Sequence, residues 1–241
     1  MSLRLLLGLT ALLLAAPRAL LPGRPGPPPE IRGGLRPLWW LNVFYCKLMH
    51  RLEASRMAPL PAHGPALLIA NHTSGVDHLL LQASSRRVLG FLIAREFFDP
   101  WYSRPICRLL GCIPVRRDGR DLGAARAALR ALKEGRVVPI FPEGRITPES
   151  GRVIGPGKPG AAFIALHAKV PVIPAYIRGT PPTRDVLKVL VWPSHARVVY
   201  GDPIPPAELA GDPGDRATLD AVTDRLMAAI RALKERPADE A

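Results

Sequence analysis

The sequence predicts an α/β fold: a mixed, largely parallel central sheet flanked by helices, with an N-terminal membrane-associating helical segment. Two observations carry the sheet. Apolar runs at 66–70, 88–94, 137–141 and 172–177 are strand-length, and stretches of helical periodicity separate them. The chain has 241 residues and is 48% apolar, enough for one substantial domain plus a terminal extension.

The elements follow in order. Residues 5–16 form an apolar run behind Arg4, interrupted by Pro17 and Arg18. As a helix it would extend about 18 Å, short of a roughly 30 Å hydrocarbon core. Segment 1–21 is expected to anchor at a membrane. The alternatives are a cleaved secretory signal, which Pro17 directly after Ala15-Ala16 disfavours, and a buried or disordered terminus. Residues 22–37 are rich in Pro, Gly and Arg and read as a linker. Segment 38–57 opens with Leu38-Trp39-Trp40-Leu41 and turns basic toward Lys47 and Arg51. This suits an amphipathic helix at a bilayer interface. The alternative is a helix packed on the domain's own core.

Residues 58–210 form the expected catalytic domain. Ala66–Ala70 is a buried strand, and Val88–Ala94 a second one. Gly111–Arg117 is a short strand ending in two Arg. Asp121–Glu134 is an amphipathic helix with Leu122, Ala125, Leu129 and Leu132 on one face, stopped by Gly135. Val137–Phe141 is a strand whose Pro139 places it at an edge or starts it late. Gly155–Gly160 is a loop bearing Lys158, and Ala161–Ala168 is helical. Val172–Ile177, Val189–Trp192 and Arg197–Tyr200 are further strands, the last two expected antiparallel. Residues 211–241 hold a terminal helix over Asp215–Glu235, with Leu219, Val222, Leu226, Ile230 and Leu233 on one face.

The stretch with the most chemistry is Asn71-His72-Thr73-Ser74-Gly75-Val76-Asp77, at the junction of a strand and a helix. In open α/β sheets that edge is where ligands bind. Five residues on one ideal helix would put His72 and Asp77 about 140° apart. With His72 on the turn and Asp77 in the first helical turn, the two can meet, and Gly75 would permit the unusual backbone required. An imidazole held by a carboxylate is a general base. The bland reading is a capped helix start with an incidental His. A metal site would need more His at short spacing than His78 supplies. Ser74 lacks a Gly-x-Ser-x-Gly elbow, and no Cys lies near. No metal and no cofactor is expected.

The net charge is +13 and the pI about 10.6, which calls for an anionic partner. Residues 1–57 carry eight Lys/Arg against two acids, and residues 86–120 eight Arg against three. Aromatics are only 6%, and the basic residues accompany apolar segments. This favours a membrane phospholipid surface and argues against nucleic acid. Three sparse Cys, without a CxxC pair, suit a reducing compartment. The expected location is the cytoplasmic face of an inner or plasma membrane.

With these segments in order, the chain resembles the glycerolipid acyltransferases of the 1-acylglycerol-3-phosphate O-acyltransferase type. Asn71-His72 through Asp77 is similar to the family's His-x4-Asp motif. Gly111–Arg117 resembles its second motif, Phe141-Pro142-Glu143-Gly144 its third, and Val170–Pro174 its fourth. The resemblance covers about residues 60–180. The third motif departs from the usual Phe-Pro-Glu-Gly-Thr-Arg-Ser, because Arg145 follows Gly144 directly. Acceptors with other head groups therefore stay open.

The resemblance implies a mechanism. His72 removes the proton of the acceptor hydroxyl and Asp77 orients His72. The hydroxyl attacks the thioester of acyl-CoA or acyl carrier protein with no acyl-enzyme. On 1-acylglycerol-3-phosphate, the lysophospholipid acceptor the resemblance implies, this gives phosphatidic acid. Arg117 and Arg145 hold the acceptor phosphate, and a guanidinium suits that role by its bidentate fit. Glu143 and Gly144 shape the pocket. Arg116, one residue before Arg117 on a strand, points the other way and is not expected to be a ligand. Lys158 has two readings, a phosphate contact or a solvated loop lysine. A non-catalytic lipid-binding protein on the same scaffold is the competing class, and intact His72 and Asp77 argue against it.

Overall fold

The computed structural model describes residues 35–116, 122–181, 183 and 185–235. The apolar run 5–16, most of the linker and Arg117 lie outside the described residues. The elements are helix α1 (Leu35–His50), strands β1 (Glu53–Ala54) and β2 (Ala66–Ala70), and helix α2 (Asp77–Ala83). Strand β3 (Leu92–Ala94), helices α3 (Arg95–Phe98) and α4 (Arg104–Leu109), and strand β4 (Ile113–Val115) follow. Next are α5 (Leu122–Lys133), β5 (Val137–Ile140), α6 (Gly160–Ala168), β6 (Val172–Arg178) and α7 (Val186–Val191). The described chain ends with β7 (Arg197–Tyr200), a 3-10 turn (Pro206–Leu209) and α8 (Arg216–Lys234).

The main sheet has the order β1-β7-β6-β2-β5. Strands β6, β2 and β5 are mutually parallel, and β7 joins β6 antiparallel. The mixed, largely parallel sheet is thus the expected one. Strand β5 lies at the end of the order, where Pro139 interrupts no further ladder. A separate parallel pair, β3 and β4, is linked to it by a bridge from Leu89 to Val137.

The alternation of side chains along β2 divides the core in two. Ala66, Leu68 and Ala70 face one cluster with α1, α2 and the α3–α4 region. Leu67 and Ile69 face the other, with α5, α6 and α8. Helix α8 behaves as its pattern requires. Val222, Leu226, Ile230 and Leu233 are buried, Leu219 is half-buried against them, and the Asp215 carboxylate caps the N–H groups of Ala217 and Thr218.

Four expectations change. The strand expected at Val189–Trp192 is helix α7. The Asp185 carboxylate accepts the Lys188 N–H and starts a helical turn, while β7 already has β6 and β1 on its two sides. The face of α5 is rotated: Ala124, Ala128, Ala131 and Leu132 are buried while Leu122 is 61% exposed. Small alanines let α5 lie close to α6, itself lined by Ala161, Ala162 and Ala165. The helix expected over 38–57 runs Leu35–His50, with Pro37 tolerated in its first turn, and Glu53–Ala54 becomes an edge strand paired with β7. The fourth concerns Gly75 and belongs to the site below. Helix α1 buries Trp39, Val43, Cys46 and His50 on the core, and exposes Leu41, Phe44 and Leu48 on its other side. None of the helices among the described residues is long and apolar enough to cross a membrane.

Candidate active site

The parallel strands β2 and β5 end on one edge of the sheet, and the loops beyond them build the site. Asn71, the first residue past β2, is buried and spliced to β6. Its side-chain amide donates to the Ile177 carbonyl at 2.8 Å and its oxygen accepts the Ile177 N–H at 2.7 Å. This fixes the backbone from which His72 projects.

Asp77 is the first residue of α2 and is fully buried. Its Oδ2 lies 2.8 Å from His72 Nδ1. The same oxygen accepts the N–H groups of Thr73 at 2.6 Å and Ser74 at 2.9 Å, while Oδ1 accepts the Thr73 hydroxyl at 2.7 Å. One carboxylate therefore closes the turn and orients the imidazole. Gly75 is not among the left-handed glycines, so the turn needs no special backbone there. The carboxylate supplies what a strained glycine was expected to supply.

A carboxylate can only accept at Nδ1, so that nitrogen carries the proton and Nε2 is the base. The ring stacks on Phe141, with centroids 4.1 Å apart and planes 7° from parallel. Beside it His78 packs edge-on at 5.7 Å and also meets Phe91 and Phe141. Burial among these rings pushes the His78 pKa down to about 4, with the nearby His72 adding to the shift. His78 is neutral at physiological pH and places no charge beside the base.

The Phe141–Gly144 turn closes through the Gly144 N–H onto the Phe141 carbonyl, with Gly144 at φ +72°. A side chain there would be strained and would lie 3.0 Å from the Lys158 amine. Glu143 is buried and points inward. Oε1 accepts the backbone N–H of His72, and Oε2 that of Gly155, both at 2.8 Å. The Lys158 N–H reaches the Pro142 carbonyl, so the Gly155–Gly160 loop is pinned to the same turn.

The structure thus brings together His72, Asp77, Glu143, Gly144 and Lys158. Arg145 follows on the exposed side of the turn. Arg117 lies outside the described residues, one position past the exposed Arg116 at the end of β4. Sequence reasoning missed the stacking of Phe141 on the imidazole. It also missed Thr180, whose hydroxyl donates to Thr73 Oγ1 at 2.9 Å and so extends the chain leading to Asp77. No local spacing links residues 107 positions apart.

A tautomer-fixed histidine at the carboxyl edge of a parallel sheet, braced by a buried glutamate, is a site able to deprotonate a hydroxyl or amine. The acyltransferase family model matches residues 51–178, more than half of the chain, and the chain belongs to this family of enzymes. A 1-acyl-sn-glycerol-3-phosphate acyltransferase of Bacillus subtilis is 26% identical over 178 residues, covering 73% of this chain and 85% of that protein. A probable enzyme of the same name from Mycoplasma pneumoniae is 31% identical over 121 residues, covering 47% of this chain and 44% of its own length. The crystal structure of the 1-acyl-sn-glycerophosphate (LPA) acyltransferase of Thermotoga maritima superposes with a TM-score of 0.63. That match covers 84% of this chain and 82% of that one at 21% identity, and it establishes the shared fold.

Proposed function

We propose that the chain transfers a fatty acyl group from a thioester, acyl-CoA or acyl carrier protein, to the free hydroxyl of 1-acylglycerol-3-phosphate at a membrane surface. The product is phosphatidic acid, a precursor in phospholipid biosynthesis. The observation that carries the reading is the His72–Asp77 pair, with Nδ1 committed to the carboxylate, in a chain similar over most of its length to the Bacillus subtilis acyltransferase.

The steps balance without an acyl-enzyme. His72 Nε2 takes the hydroxyl proton as the oxygen bonds to the thioester carbonyl carbon. The buried Asp77 stabilises the imidazolium that forms. The tetrahedral intermediate collapses, the carbon–sulfur bond breaks, and the departing sulfur takes the proton from His72. Arg117, Arg145 and Lys158 supply positive charge for the acceptor phosphate.

A second acceptor class has one observation behind it. Arg145 directly follows Gly144 instead of standing one residue later, which shifts the guanidinium relative to the turn. Another lysophospholipid or an amino-lipid would then be the acceptor. The test is the purified full chain with acyl-CoA or acyl carrier protein and a panel of lysolipids, read by mass spectrometry. Phosphatidic acid from wild type, and none from His72→Ala, is the expected result. Preferred turnover of another head group moves the assignment to it. Binding of lysolipid with no acyl product from any donor overturns the catalytic reading.

A further inference from the structure

Helix α3, the turn after it and α4 hold an apolar surface that the reaction does not use. Phe97, Trp101, Tyr102, Ile106 and Leu109 are exposed, all within 13 residues, and Trp101 is 85% exposed. Single exposed apolar side chains are ordinary, but five together form a patch. The segment is well seated, because Phe98 and Cys107 from the same stretch are buried in the core.

Its composition narrows the partner. Trp and Tyr beside long aliphatic side chains, with Arg among them, suit the headgroup level of a bilayer. Within Arg95–Leu109 the charges are Arg95, Arg104 and Arg108 against Glu96 and Asp99. Arg95 and Arg104 approach Asp99 at 3.8 and 3.9 Å, so that acid is offset within the patch and the segment stays positive. A positive apolar surface complements anionic lipid.

Its position fits the same partner. Through the Leu89–Val137 bridge the β3 segment runs parallel to β5, so the end of β3 that starts α3 lies on the same sheet edge as Phe141. The Phe91 ring, just before β3, stacks toward Phe141 at 6.5 Å, and Phe141 stacks on His72. The exposed ridge Leu41, Phe44 and Leu48 belongs to α1, which covers the same sheet face as Phe98 and Cys107.

We infer that the α3–α4 segment, Arg95–Leu109, is a bilayer-docking surface that seats the His72 edge on membrane carrying anionic phospholipid, in addition to any contact made by residues 1–34. The inference rests on the lipid-substrate reading above for its purpose, and on the patch for its existence.

The experiment keeps the full chain. Trp101→Cys is labelled with an environment-sensitive fluorophore; the native cysteines 46, 107 and 112 are buried. Vesicles are phosphatidylcholine alone or mixed with phosphatidylglycerol. The label is expected to shift to the blue and to be quenched by brominated acyl chains on mixed vesicles. A label at Arg126→Cys, on α5 across the sheet, should stay in water. Trp101→Ser, Tyr102→Ser and Ile106→Ser together should weaken partitioning about tenfold or more. Turnover of short-chain, water-soluble substrates should be unchanged in that variant. A label at position 101 that stays hydrated on vesicle-bound protein overturns the inference. So does a blue shift that appears without vesicles as protein concentration rises, which would mark a contact between proteins. If wild type binds vesicles through Trp101 yet transfers no acyl group to any acceptor, the acceptor reading fails and the docking surface stands.

Discussion

Glu143 accepts the backbone N–H of His72 across a separation of 71 residues, at 2.8 Å. Its second oxygen accepts the N–H of Gly155. The glutamate of the Phe-Pro-Glu-Gly turn therefore ties the base-bearing loop of β2 to the loop of Lys158. Both oxygens accept backbone donors, so the carboxylate braces the two loops against each other.

Glu143→Gln tests that tie. A glutamine amide turns one of the two acceptors into a donor facing a backbone N–H. The expected cost is about 1–3 kcal/mol of stability, read by a denaturant melt. Turnover should fall while the acceptor KM changes little. A rise confined to acceptor KM would mean that the carboxylate contacts the substrate.

His72→Ala should lower turnover by a factor on the order of 10²–10⁴ with the fold retained by circular dichroism. Asp77→Asn keeps the size but removes the charge that stabilises the imidazolium, and the amide can hold the wrong tautomer. It also loses capping strength on Thr73 and Ser74, so a lower Tm is expected alongside the loss of kcat. Wild-type turnover in either folded variant would sink the general-base mechanism.

His78 sets a pH dependence of stability. In the unfolded chain it titrates near 6.5, and in the fold at about 4. Between those values only the unfolded state takes up the proton, so stability falls as pH falls through that window. The loss is complete below about pH 4 and is on the order of a few kcal/mol. Burial shifts His50 in the same direction. His78→Phe should flatten the curve of stability against pH between 6.5 and 4. Parallel curves for the two proteins would show that His78 is solvated in solution.

The sheet was legible because β2, β5 and β6 are continuous apolar runs, the form that strands buried on both faces take. The meeting of His72 and Asp77 was legible because it depends on a local turn. What escaped the sequence is long-range. Glu53–Ala54 is a strand only because β7 offers an edge, and two residues carry no periodicity. Helix α7 was hidden by Val189-Leu190-Val191, a β-rich run that the Asp185 cap overrides. The buried alanines of α5 lost to Leu122 and Leu129 in a hydrophobicity count, although close approach favours the smaller side chain. The Thr180–Thr73–Asp77 chain needs the β6 loop brought beside the β2 loop, which only the fold specifies.

The remaining prediction concerns the acceptor's head group. Arg145 stands exposed directly after Gly144, and Lys158 lies over that glycine. Arg117 follows the end of β4 in the sequence and matches the position of the phosphate-binding Arg in the family resemblance. If the two guanidiniums share the phosphate, each single alanine variant removes a charge-assisted contact. That contact is worth roughly 1.5–3 kcal/mol, or about 10- to 150-fold in acceptor KM. The KM for the acyl donor should change far less, because the thioester end carries no phosphate to these residues. Replacement by Lys should recover only part of the loss, since an ammonium cannot form the bidentate fork. The pair also discriminates between acceptors. With 1-acylglycerol-3-phosphate, Arg117→Ala and Arg145→Ala should both raise KM, and the double variant should lose less than the product of the two effects, because they share one ligand. If Arg145→Ala leaves the KM of that acceptor unmoved but raises that of a lysolipid with a larger head group, the one-residue shift in the third motif has redirected the guanidinium. Measuring both KM values for both acceptors separates these outcomes, and an unmoved KM throughout would make the two arginines surface charge.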